Sequence, residues 1–442
     1  MLKILLCYAF AMYGFASDTK QQPTLLFDSQ NLAKKISPAV VDVYAYRDGD
    51  EIFQPFELGD IEAMLFGGGQ RRDQNSSGTG CIITSDGIIV TCNHVVKDAT
   101  RVLIGFNKGR KLKATKIFAN AKDDIAFLKV DATDLPFLVL ANLKTQIDLG
   151  EQILVAGNAL GMGGVSIYHG LVSFVNRVVD GKVVIQSDAN IGVGSSGGPM
   201  VNSMGEMIGM AFAIQCAGGL QSAGGLSFFI PSSLIQYYYN KEILKKPSPW
   251  WGVQAQVMNP DMLEGIGLKD MNIFGVIVTE LAQGSPAQAV LKRGDVIVAI
   301  DGQKLNSVEE LSFFEKISTV AVPVEITIWR DTKLQKISLT PVKEPETIVK
   351  QVDSALLPGV QFEETTKGVT VKAAGNNGLF AEGDRVLALN KMPIKSIKDI
   401  DAALKSGEQG ISVVVDRNGA KISQLFSSGK GGSFLSQSII GG

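Results

Sequence analysis

The clearest structural signal in the chain is a β-hairpin in residues 76–96, with the sequence SSGTGCIITSDGIIVTCNHVV. Its two β-rich halves meet at Asp86-Gly87, a dipeptide that favours a two-residue type I′ turn. That turn places Cys81 opposite Cys92, where the Cβ atoms of a non-hydrogen-bonded pair approach closely enough for a disulfide. The sequence therefore predicts a hairpin whose two cysteines either form a disulfide or remain as buried free thiols.

Short β-type segments continue on both sides of this hairpin, from residue 39 to residue 231. They are bounded by Gly, Asn and Asp turn signals, and no long helical pattern intervenes. The segments are Ala39–Tyr46, Gly78–Thr84, Ile88–Val96, Arg101–Phe106, Lys111–Ala119, Ile125–Val130, Gln152–Gly157, Gly170–Val178, Val183–Ser187, Pro199–Asn202, Met207–Gln215 and Leu226–Ile230. About twelve short strands of this kind predict an all-β barrel or sandwich, with two barrels as one possible arrangement.

Composition narrows the class of protein before any motif is considered. The 442 residues are 45% hydrophobic and 19% charged, which indicates a globular chain of roughly three domains at about 150 residues each. Lys and Arg number 42 against 44 Asp and Glu, so no global basic field favours nucleic acid as a partner. Only two histidines occur, His94 and His169, which excludes a three-His zinc site. We predict neither a metal nor a cofactor.

The N-terminus has the pattern of a secretory signal peptide. Lys3 is followed by the apolar stretch 4–15, and Gly14-Phe15-Ala16 supplies small residues ahead of a cleavage site after Ala16. The alternative, a membrane anchor, needs an apolar segment of about 20 residues, which is longer than this stretch. We therefore expect an exported, soluble mature protein with at most peripheral association with membranes.

An internal repeat occupies the C-terminal part of the chain. Residues 294–311 read GDVIVAIDGQKLNSVEEL and residues 383–400 read GDRVLALNKMPIKSIKDI, with four of 18 positions identical. Two copies of a domain of about 85–95 residues explain this similarity. Lys245-Lys246-Pro247-Ser248-Pro249 reads as the preceding linker, and the Gly/Ser-rich residues 427–442 are expected to be disordered.

The residues around Ser196 suggest nucleophilic chemistry. In Gly194-Ser195-Ser196-Gly197-Gly198-Pro199 the glycines allow a tight turn from which a serine hydroxyl projects. The N–H groups of Gly194 and Ser196 can converge on a carbonyl oxygen as it becomes an oxyanion. A glycine-flanked serine alone is most often an ordinary turn, and a serine hydroxyl needs a base to become a good nucleophile.

Only His94 and His169 can be that base. His94 lies just past a predicted strand, in TCNHVV, whereas His169 lies in YHG. A serine hydrolase also needs a carboxylate that orients the imidazole, and Asp124 stands at the start of a predicted strand. Each residue alone has a structural explanation, but their joint occurrence in the order His, Asp, Ser predicts a serine hydrolase.

These residues make the chain resemble the Deg/HtrA family of exported, periplasmic serine proteases, over residues 30–426. The motifs that carry the resemblance are the hairpin of residues 76–96, DDIAFLKV (123–130), GNALGMGGVSIYHGLVS (157–173), SDANIGVGSSGGPMVN (187–202) and GLSFFIP (225–231). The resemblance implies a mostly β protein, with a chymotrypsin-like double β-barrel protease domain followed by two α+β PDZ domains. The expected domains are a signal peptide at 1–16, the protease domain at 17–246, PDZ domains at 248–346 and 353–426, and a tail at 427–442.

The resemblance also assigns catalytic roles to individual residues. They are the triad His94, Asp124 and Ser196 and the oxyanion-hole backbone of Gly194, Ser195 and Ser196. His169 falls where the family accepts many residues, so we interpret it as non-catalytic. The chain departs from the family's frequent asparagine at Ser195 and at Cys92, which concerns the geometry of the loops and not the presence of a catalytic group.

Two binding sites follow from the resemblance. The strand that contains Ala213 and Ile214 forms an uncharged wall of the substrate pocket, so small aliphatic side chains fit it best. The loop of the first PDZ domain that captures a peptide's C-terminal carboxylate falls on Trp251, Gly252 and Val253. In the second copy Pro358-Gly359-Val360 matches less well, which favours a role in assembly.

The function that the resemblance implies is ATP-independent degradation of unfolded or misfolded exported proteins in the periplasm, with chaperone activity and PDZ-mediated recruitment. Expected partners are unfolded proteins, C-terminal peptides and other copies of the chain, as a homotrimer or a multiple of trimers. The apolar loop at 47–77 would then reach a neighbouring subunit or block its active site. Two alternatives remain: a chaperone or peptide-binding scaffold with weak or latent protease activity, and a regulatory protease with one signalling substrate.

Overall fold

A computed structural model gives the arrangement of the chain. The residues it describes are 27–47, 76–106, 109–143, 145–158, 164–212, 226–258, 262, 274–345, 348–351, 357, 359–365, 368–374, 379–405, 410–417, 420–429 and 432–440. The predicted signal peptide, most of the loop at 47–77 and the pocket residues Ala213 and Ile214 lie outside these ranges. Within them, no helix combines the length and the apolar character that crossing a bilayer requires.

Six strands close into a first β-barrel in the order β1-β2-β3-β6-β5-β4. They are β1 (Val40–Tyr46), β2 (Ser76–Ile82), β3 (Ile88–Cys92), β4 (Arg101–Gly105), β5 (Lys111–Asn120) and β6 (Ile125–Val130). Strand β3 is buried at every position and β6 at all but one, because their apolar side chains fill the barrel. A helix, α1 (Ser29–Ile36), precedes the barrel and buries Leu32 and Ile36.

Six further strands close into a second barrel in the order β10-β11-β12-β9-β8-β7. They are β7 (Gln152–Gly157), β8 (Ser166–Val179), β9 (Lys182–Ser187), β10 (Pro199–Val201), β11 (Met207–Phe212) and β12 (Ser227–Pro231). The buried core contains Ile153, Val155, Val172, Ile185, Met200, Ile208 and Phe229. The predicted chymotrypsin-like double barrel is thereby confirmed.

The two cysteines of the β2–β3 hairpin do not pair with each other. Cys81 lies opposite Val90, not opposite Cys92. Both cysteines are buried free thiols, so the predicted disulfide is wrong and the alternative of two free thiols is correct.

The register differs because the hairpin turn is longer than the dipeptide Asp86-Gly87 suggests. The N–H of Gly87 donates to the carbonyl oxygen of Thr84 at 3.1 Å. The hydroxyl of Thr84 accepts the N–H of Ile88 at 3.0 Å. This side-chain bond stabilises a turn from Thr84 to Gly87 and moves the partner of Cys81 by two positions along β3.

The predicted strand Ile88–Val96 ends early, at Cys92. Asn93–Val96 form a one-turn helix, α2, which carries His94. The backbone N–H groups of Asn93 and His94 donate to Asp124, at its carbonyl oxygen (3.1 Å) and its Oδ1 (2.8 Å) respectively. These two bonds replace the pairing that a continued strand would have made, so the chain turns at this point.

A PDZ-like sheet follows the barrels, with β14-β15-β16-β18-β19 as its main order. Its strands are β14 (Val253–Val257), β15 (Val276–Leu281), β16 (Val296–Ile300), β17 (Gln303–Lys304), β18 (Val324–Arg330) and β19 (Lys333–Leu339). Two short strands, β13 (Pro249–Trp250) and β20 (Val342–Lys343), pair with each other as a separate two-stranded sheet. After α3 (Ser232–Tyr238), the helices of this PDZ-like region are α4 (Pro286–Val290) and α5 (Val308–Ile317). Helix α5 begins with a capping box, in which Ser307 and Glu310 exchange hydrogen bonds with each other's backbone.

A second PDZ-like sheet runs in the order β21-β22-β23-β24-β26-β27-β28. Its elements are β21 (Ile348–Gln351), β22 (Val360–Thr365), β23 (Gly368–Ala374), β24 (Arg385–Leu389), β25 (Met392–Pro393), α6 (Ile397–Lys405), β26 (Gly410–Arg417), β27 (Ala420–Gly429) and β28 (Gly432–Ile440). Both sheets contain the same ion pair, Asp295–Arg330 at 2.6 Å in the first and Asp384–Arg417 at 2.7 Å in the second. The sequence repeat therefore corresponds to a repeat of structure.

The C-terminal residues form a strand where disorder was expected. Strand β28 pairs with β27 from Gly429 opposite Gly432 to Lys421 opposite Ile440. The Gly/Ser content of residues 427–442 indicated disorder, but the apolar residues among them suit a strand that extends the sheet. The expected disordered tail is therefore wrong for residues 427–429 and 432–440.

Candidate active site

His94 and Asp124 lie side by side because strands β3 and β6 pair with Cys92 opposite Ile125. Nδ1 of His94 is 2.7 Å from Oδ2 of Asp124. The His94 side chain is 43% exposed, whereas that of Asp124 is 11% exposed. The carboxylate is thus shielded while the imidazole can reach a second partner through its other ring nitrogen, Nε2.

The backbone of Asp124 adopts a conformation that few side chains tolerate. Its φ of +55° lies in the left-handed region, where aspartate is enriched relative to most residues. Backbone strain of this kind often accompanies functional sites. Here it turns the carboxylate of Asp124 towards the backbone N–H and the ring of His94.

Ser196 lies in a tight loop between β9 and β10. Gly194 and Gly197 have φ values of +93° and +91°, which glycine adopts without steric cost. The N–H of Gly197 donates to the carbonyl oxygen of Ala211 at 2.8 Å and so attaches the loop to β11. Ser196 itself is half-buried.

Two of the three N–H groups predicted for the oxyanion hole are available. In the described part of the chain, those of Gly194 and Ser196 donate to no acceptor. The N–H of Ser195 donates to the carbonyl oxygen of Gly192 at 3.1 Å. This bond corrects the prediction for Ser195, whose N–H is committed within the loop, while Gly194 and Ser196 remain predicted donors.

The side chain of Ser195, where the family often has asparagine, points inward. Ser195 is fully buried. It packs so closely on Gly157 that a Cβ added to that glycine would lie 2.8 Å from the Ser195 Cβ. A larger residue at position 157 would therefore clash with Ser195, whose buried Oγ has no hydrogen-bond partner among the described residues.

Thr79 of β2 is a site residue that the sequence reasoning did not single out. Its N–H donates to the carbonyl oxygen of Ser196 at 2.8 Å, and its hydroxyl donates to that of Gly194, also at 2.8 Å. Its own carbonyl oxygen accepts the hydroxyl of Thr91 at 2.7 Å. Thr79 therefore fixes both residues whose N–H groups are available, and the only signal was its place in the GTG of the hairpin.

Gly78, next to Thr79, links the histidine turn to the serine loop. A Cβ at this position would lie 2.7 Å from Val95 Cγ2 and 3.1 Å from the carbonyl oxygen of Ser196. No hydrogen bond joins the hydroxyl of Ser196 to His94 among the described residues. Such bonds are often long before substrate binds, so the geometry is compatible with a pair that tightens on binding.

Cys92 stands beside the His–Asp pair. Ligand atoms of Cys92, His94 and Asp124 lie within 4.8 Å of one another, so these three could hold a cation as far as the described residues show. A metal requires the thiolate. Burial, helped by the nearby Asp124 charge, raises the pKa of the Cys92 thiol well above its usual value. The thiol instead donates to the carbonyl oxygen of Ala211 at 3.2 Å, which favours packing over metal binding.

His169 lies on β8 opposite Leu154 of β7, and its ring packs edge-on against Phe27 with centroids 5.4 Å apart. This contact supports a structural role for His169. Ala213 and Ile214, predicted to line the substrate pocket, follow the end of β11 and lie outside the described residues.

The predicted peptide-binding loop, Trp251, Gly252 and Val253, connects β13 to β14. Gly252 has a φ of +76°, and a Cβ at this position would overlap the side chain of Ser285. The N–H of Trp251 donates to Oε1 of Glu315 on α5 at 2.7 Å. Sequence reasoning missed Glu315, because no local pattern connects residues so far apart in the chain.

Two closed barrels that bring a His–Asp pair next to a serine loop are the architecture of trypsin-like serine peptidases. The family pattern described as trypsin-like peptidase domain matches residues 78–210, and that of the PDZ domain matches residues 253–329. A probable periplasmic serine endoprotease, DegP-like, from Rhizobium meliloti (strain 1021) is 30% identical over 354 residues, 74% of this chain and 69% of the relative. The chain therefore belongs to the Deg/HtrA family of DegP-like proteases and is a serine endopeptidase.

A second relative covers more of the chain, and a solved structure covers a similar share of it. A probable periplasmic DegP-like serine endoprotease from Chlamydia pneumoniae is 28% identical over 434 residues, which cover 87% of this chain and 86% of the relative. Among solved structures, the HtrA-type protease AlgW with a decapeptide is 25% identical. The match covers 72% of this chain and 99% of the AlgW chain, with a TM-score of 0.48.

Proposed function

We propose that Ser196 is the nucleophile of this endopeptidase, His94 its general base and acid, and Asp124 the residue that orients His94. The observation that carries the proposal is the 2.7 Å contact between His94 Nδ1 and Asp124 Oδ2. With a proton held on Nδ1, Nε2 takes the proton of Ser196 as Oγ attacks the scissile carbonyl, and then gives it to the leaving amine. Water hydrolyses the resulting ester by the same route.

The oxyanion of the tetrahedral intermediate is proposed to bind the N–H groups of Gly194 and Ser196. Neither group has another acceptor among the described residues, so neither must break a bond to serve. Thr79 holds both residues by their carbonyl oxygens, which orients these donors before the reaction begins. Preorganised donors of this kind stabilise the charge only as it develops.

Unfolded or misfolded exported proteins are the proposed substrates, and the periplasm is the proposed location. The relatives described above are named periplasmic endoproteases, and the first 16 residues have the pattern of a cleaved signal peptide. An extended chain can reach the half-buried Ser196, whereas a folded one hides its carbonyls. The steps above consume only water, so the proposed activity is independent of ATP.

The two PDZ-like sheets are proposed to be PDZ domains, at 248–346 and 353–426, after a protease domain that begins at residue 17 and ends near 246. The first recruits substrate segments, and the second serves assembly. A homotrimer or a multiple of trimers is the assembly proposed from the family. Light scattering of the full chain and of a chain that lacks residues 350–442 tests both parts of the assembly proposal.

Cleavage of reduced, unfolded casein tests the proposed protease function. We expect the unaltered protein to degrade casein. The variants Ser196→Ala and His94→Ala should leave casein intact. Ser203→Ala, an exposed serine in the turn after β10, is the matched control and should keep full activity. Absence of cleavage by the unaltered protein at every temperature tried, with and without added peptides, would contradict the proposal.

A second candidate function is that of a chaperone or peptide-binding scaffold whose protease activity is latent. The observation that favours it is that the hydroxyl of Ser196 makes no hydrogen bond to His94 among the described residues. Casein cleavage by the unaltered protein, tested beside Ser196→Ala, distinguishes the two, since only the protease degrades casein, whereas suppression of aggregation needs no nucleophile. If Ser196→Ala protects a denatured substrate from aggregation as well as the unaltered protein, the second function is supported.

A further inference from the structure

Glu315 makes a contact that its position in a helix does not explain. It lies in the last turn of α5, where the partial negative charge of the helix end disfavours a carboxylate. Its Oε1 accepts the N–H of Trp251 at 2.7 Å, from a loop 64 residues earlier in the chain. A charge-assisted bond of this length compensates for the unfavourable position.

A second bond holds the same loop to the same helix end. The indole N–H of Trp251 donates to Ser318 Oγ at 3.1 Å, and that hydroxyl donates to the carbonyl oxygen of Glu315 at 2.7 Å. The Trp251 side chain is only 1% exposed. The loop and the end of α5 are therefore fixed to each other. The carboxylate of Glu315 can release the N–H of Trp251 only if the Glu315 side chain changes its rotamer.

Glu315 itself lines a groove, together with Gly252, the residue that follows Trp251. The groove has a volume of about 200 Å³ and is lined by Trp250, Val253, Ala282 and Ser312 among other residues. One side is β14, which is an edge strand of its sheet among the described strands. An extended peptide that added to β14 would place a terminal carboxylate at the backbone N–H groups of the preceding loop, beginning with that of Trp251.

The second PDZ-like sheet lacks both members of this contact. Gly359 has a φ of +75° and precedes β22, just as Gly252, with a φ of +76°, precedes β14. The residue before Gly359 is Pro358, which has no N–H to donate. Asp384, Asp399 and Leu404 follow Asp295, Glu310 and Glu315 at the same interval of 89 residues. The counterpart of Glu315 is thus Leu404, which packs against the apolar core.

We propose that Glu315 occupies the place of a ligand's terminal carboxylate, so that the groove of the first PDZ-like sheet takes internal segments of unfolded chains. A free C-terminus would bring a second carboxylate to an N–H group that is already bound, and the two like charges would repel. An internal segment brings no such charge and needs only the edge of β14. The inference rests on the proposed recruitment of substrates and narrows its ligand from C-terminal peptides to internal sequences.

Binding of two matched peptide pools tests this inference. Both are decapeptides with Ala, Val, Leu, Ile or Phe at the last three positions, one with a free carboxylate and one with a carboxamide. The full chain carries Ser196→Ala, which prevents cleavage, and should bind the two pools with affinities that differ by no more than about twofold. The double variant Ser196→Ala, Glu315→Ala should bind the free acid at least tenfold more tightly than the carboxamide. Glu315→Gln keeps an acceptor without the charge, so its preference should fall between these values.

Glu344→Gln is the control, because it removes a carboxylate from the same groove without touching Trp251. It should leave the ratio of the two affinities unchanged. A parent protein that already prefers the free acid tenfold, or a Glu315→Ala variant that still fails to discriminate, would overturn the inference. Binding of neither pool by any variant would overturn both the inference and PDZ recruitment, while casein cleavage would still decide the protease function independently.

Discussion

Asp124 holds His94 at two points, with Oδ2 2.7 Å from Nδ1 of the ring and Oδ1 accepting the backbone N–H at 2.8 Å. The carboxylate of Asp124 thus fixes both the backbone of His94 and the orientation of its imidazole ring. The ring proton is expected on Nδ1, which leaves Nε2 to accept a proton. The position of His94 follows from the pairing of β3 with β6, and its chemistry follows from this double contact.

Asp124→Asn should lower kcat/KM by about 10⁴ with little loss of stability, because an amide can donate to Nδ1 and so favours the wrong tautomer. Asp131→Asn is a matched control. Asp131 directly follows β6, whereas Asp124 directly precedes it, and the side chain of Asp131 is exposed. Cleavage of a fluorogenic peptide measures both variants. If Asp124→Asn kept more than a tenth of the activity, the assigned role of Asp124 would be wrong.

His94→Ala and Ser196→Ala should each cost nearly as much activity as the double substitution, because triad residues act as a unit. Residual kcat/KM of the three variants on one peptide substrate measures this. His169→Ala is the control, because the only other histidine of the chain packs on Phe27. Losses that add up in the double variant, or a large loss in His169→Ala, would point to a different base.

Much of the fold can be predicted from the sequence, because the strands of the barrels are short runs of β-formers between turn residues. Ile125–Val130 and Gln152–Gly157 agree residue for residue with β6 and β7. The hairpin register could not be predicted, because it depends on whether Thr84 uses its hydroxyl to extend the turn. The one-turn helix around His94 was missed for a similar reason, since its bonds to Asp124 are tertiary.

The candidate site divides in the same way. His94, Asp124 and Ser196 are recognisable residue types in a recognisable order, so the sequence is sufficient to propose them as the triad. Thr79 and Glu315 contribute through backbone atoms of residues distant in the chain, and hydrogen bonds of that kind leave no local pattern. The composition of residues 427–442 was misleading, because serine and glycine do not prevent a strand when a neighbouring strand offers its edge.

Cys81 and Cys92 should react with a thiol reagent only after unfolding. Both are fully buried, and burial raises the pKa of each thiol, so little thiolate is available in the folded protein. A variant with Cys7→Ser and Cys216→Ser leaves these two cysteines alone for counting. We expect no reaction in the folded state and two equivalents in denaturant, with or without prior reduction. A gain on reduction would indicate a disulfide after all.

Asp295→Ala should destabilise the first PDZ-like sheet by about 3 kcal/mol, because it leaves the guanidinium of Arg330 without its carboxylate partner. The Arg330 side chain is 17% exposed, which puts the cost at the low end of the range for buried pairs. The three tryptophans of the chain are Trp329 in β18 of this sheet, Trp250 in β13, and Trp251 in the loop that leads from β13 to β14. Tryptophan fluorescence in denaturant therefore reports on this sheet specifically.

Asp384→Ala is the matched variant in the second sheet, where it removes the partner of Arg417. It should leave the tryptophan transition in place, since no tryptophan lies in that sheet. Equal shifts of the tryptophan transition in both variants would mean that the two sheets unfold as one cooperative unit.

Gly197→Ala should lower the activity at least a hundredfold by deforming the serine loop. Gly197 has a φ of +91°, and a Cβ there would overlap the carbonyl oxygen of Thr79, which also accepts the Thr91 hydroxyl. Gly181→Ala is the control, since its φ is +69° but no atom lies within 4 Å of an added Cβ. That variant should lose only about 1–2 kcal/mol of stability, the cost of the left-handed conformation.

The measurement is kcat/KM together with thermal unfolding of both glycine variants. We expect Gly181→Ala to keep its activity and Gly197→Ala to lose at least a hundredfold while the barrels remain folded, because Thr79 holds the two residues whose N–H groups are proposed to bind the oxyanion. Full activity in Gly197→Ala would show that the loop tolerates a shift of Thr79, and it would remove the main support for assigning the donors to Gly194 and Ser196.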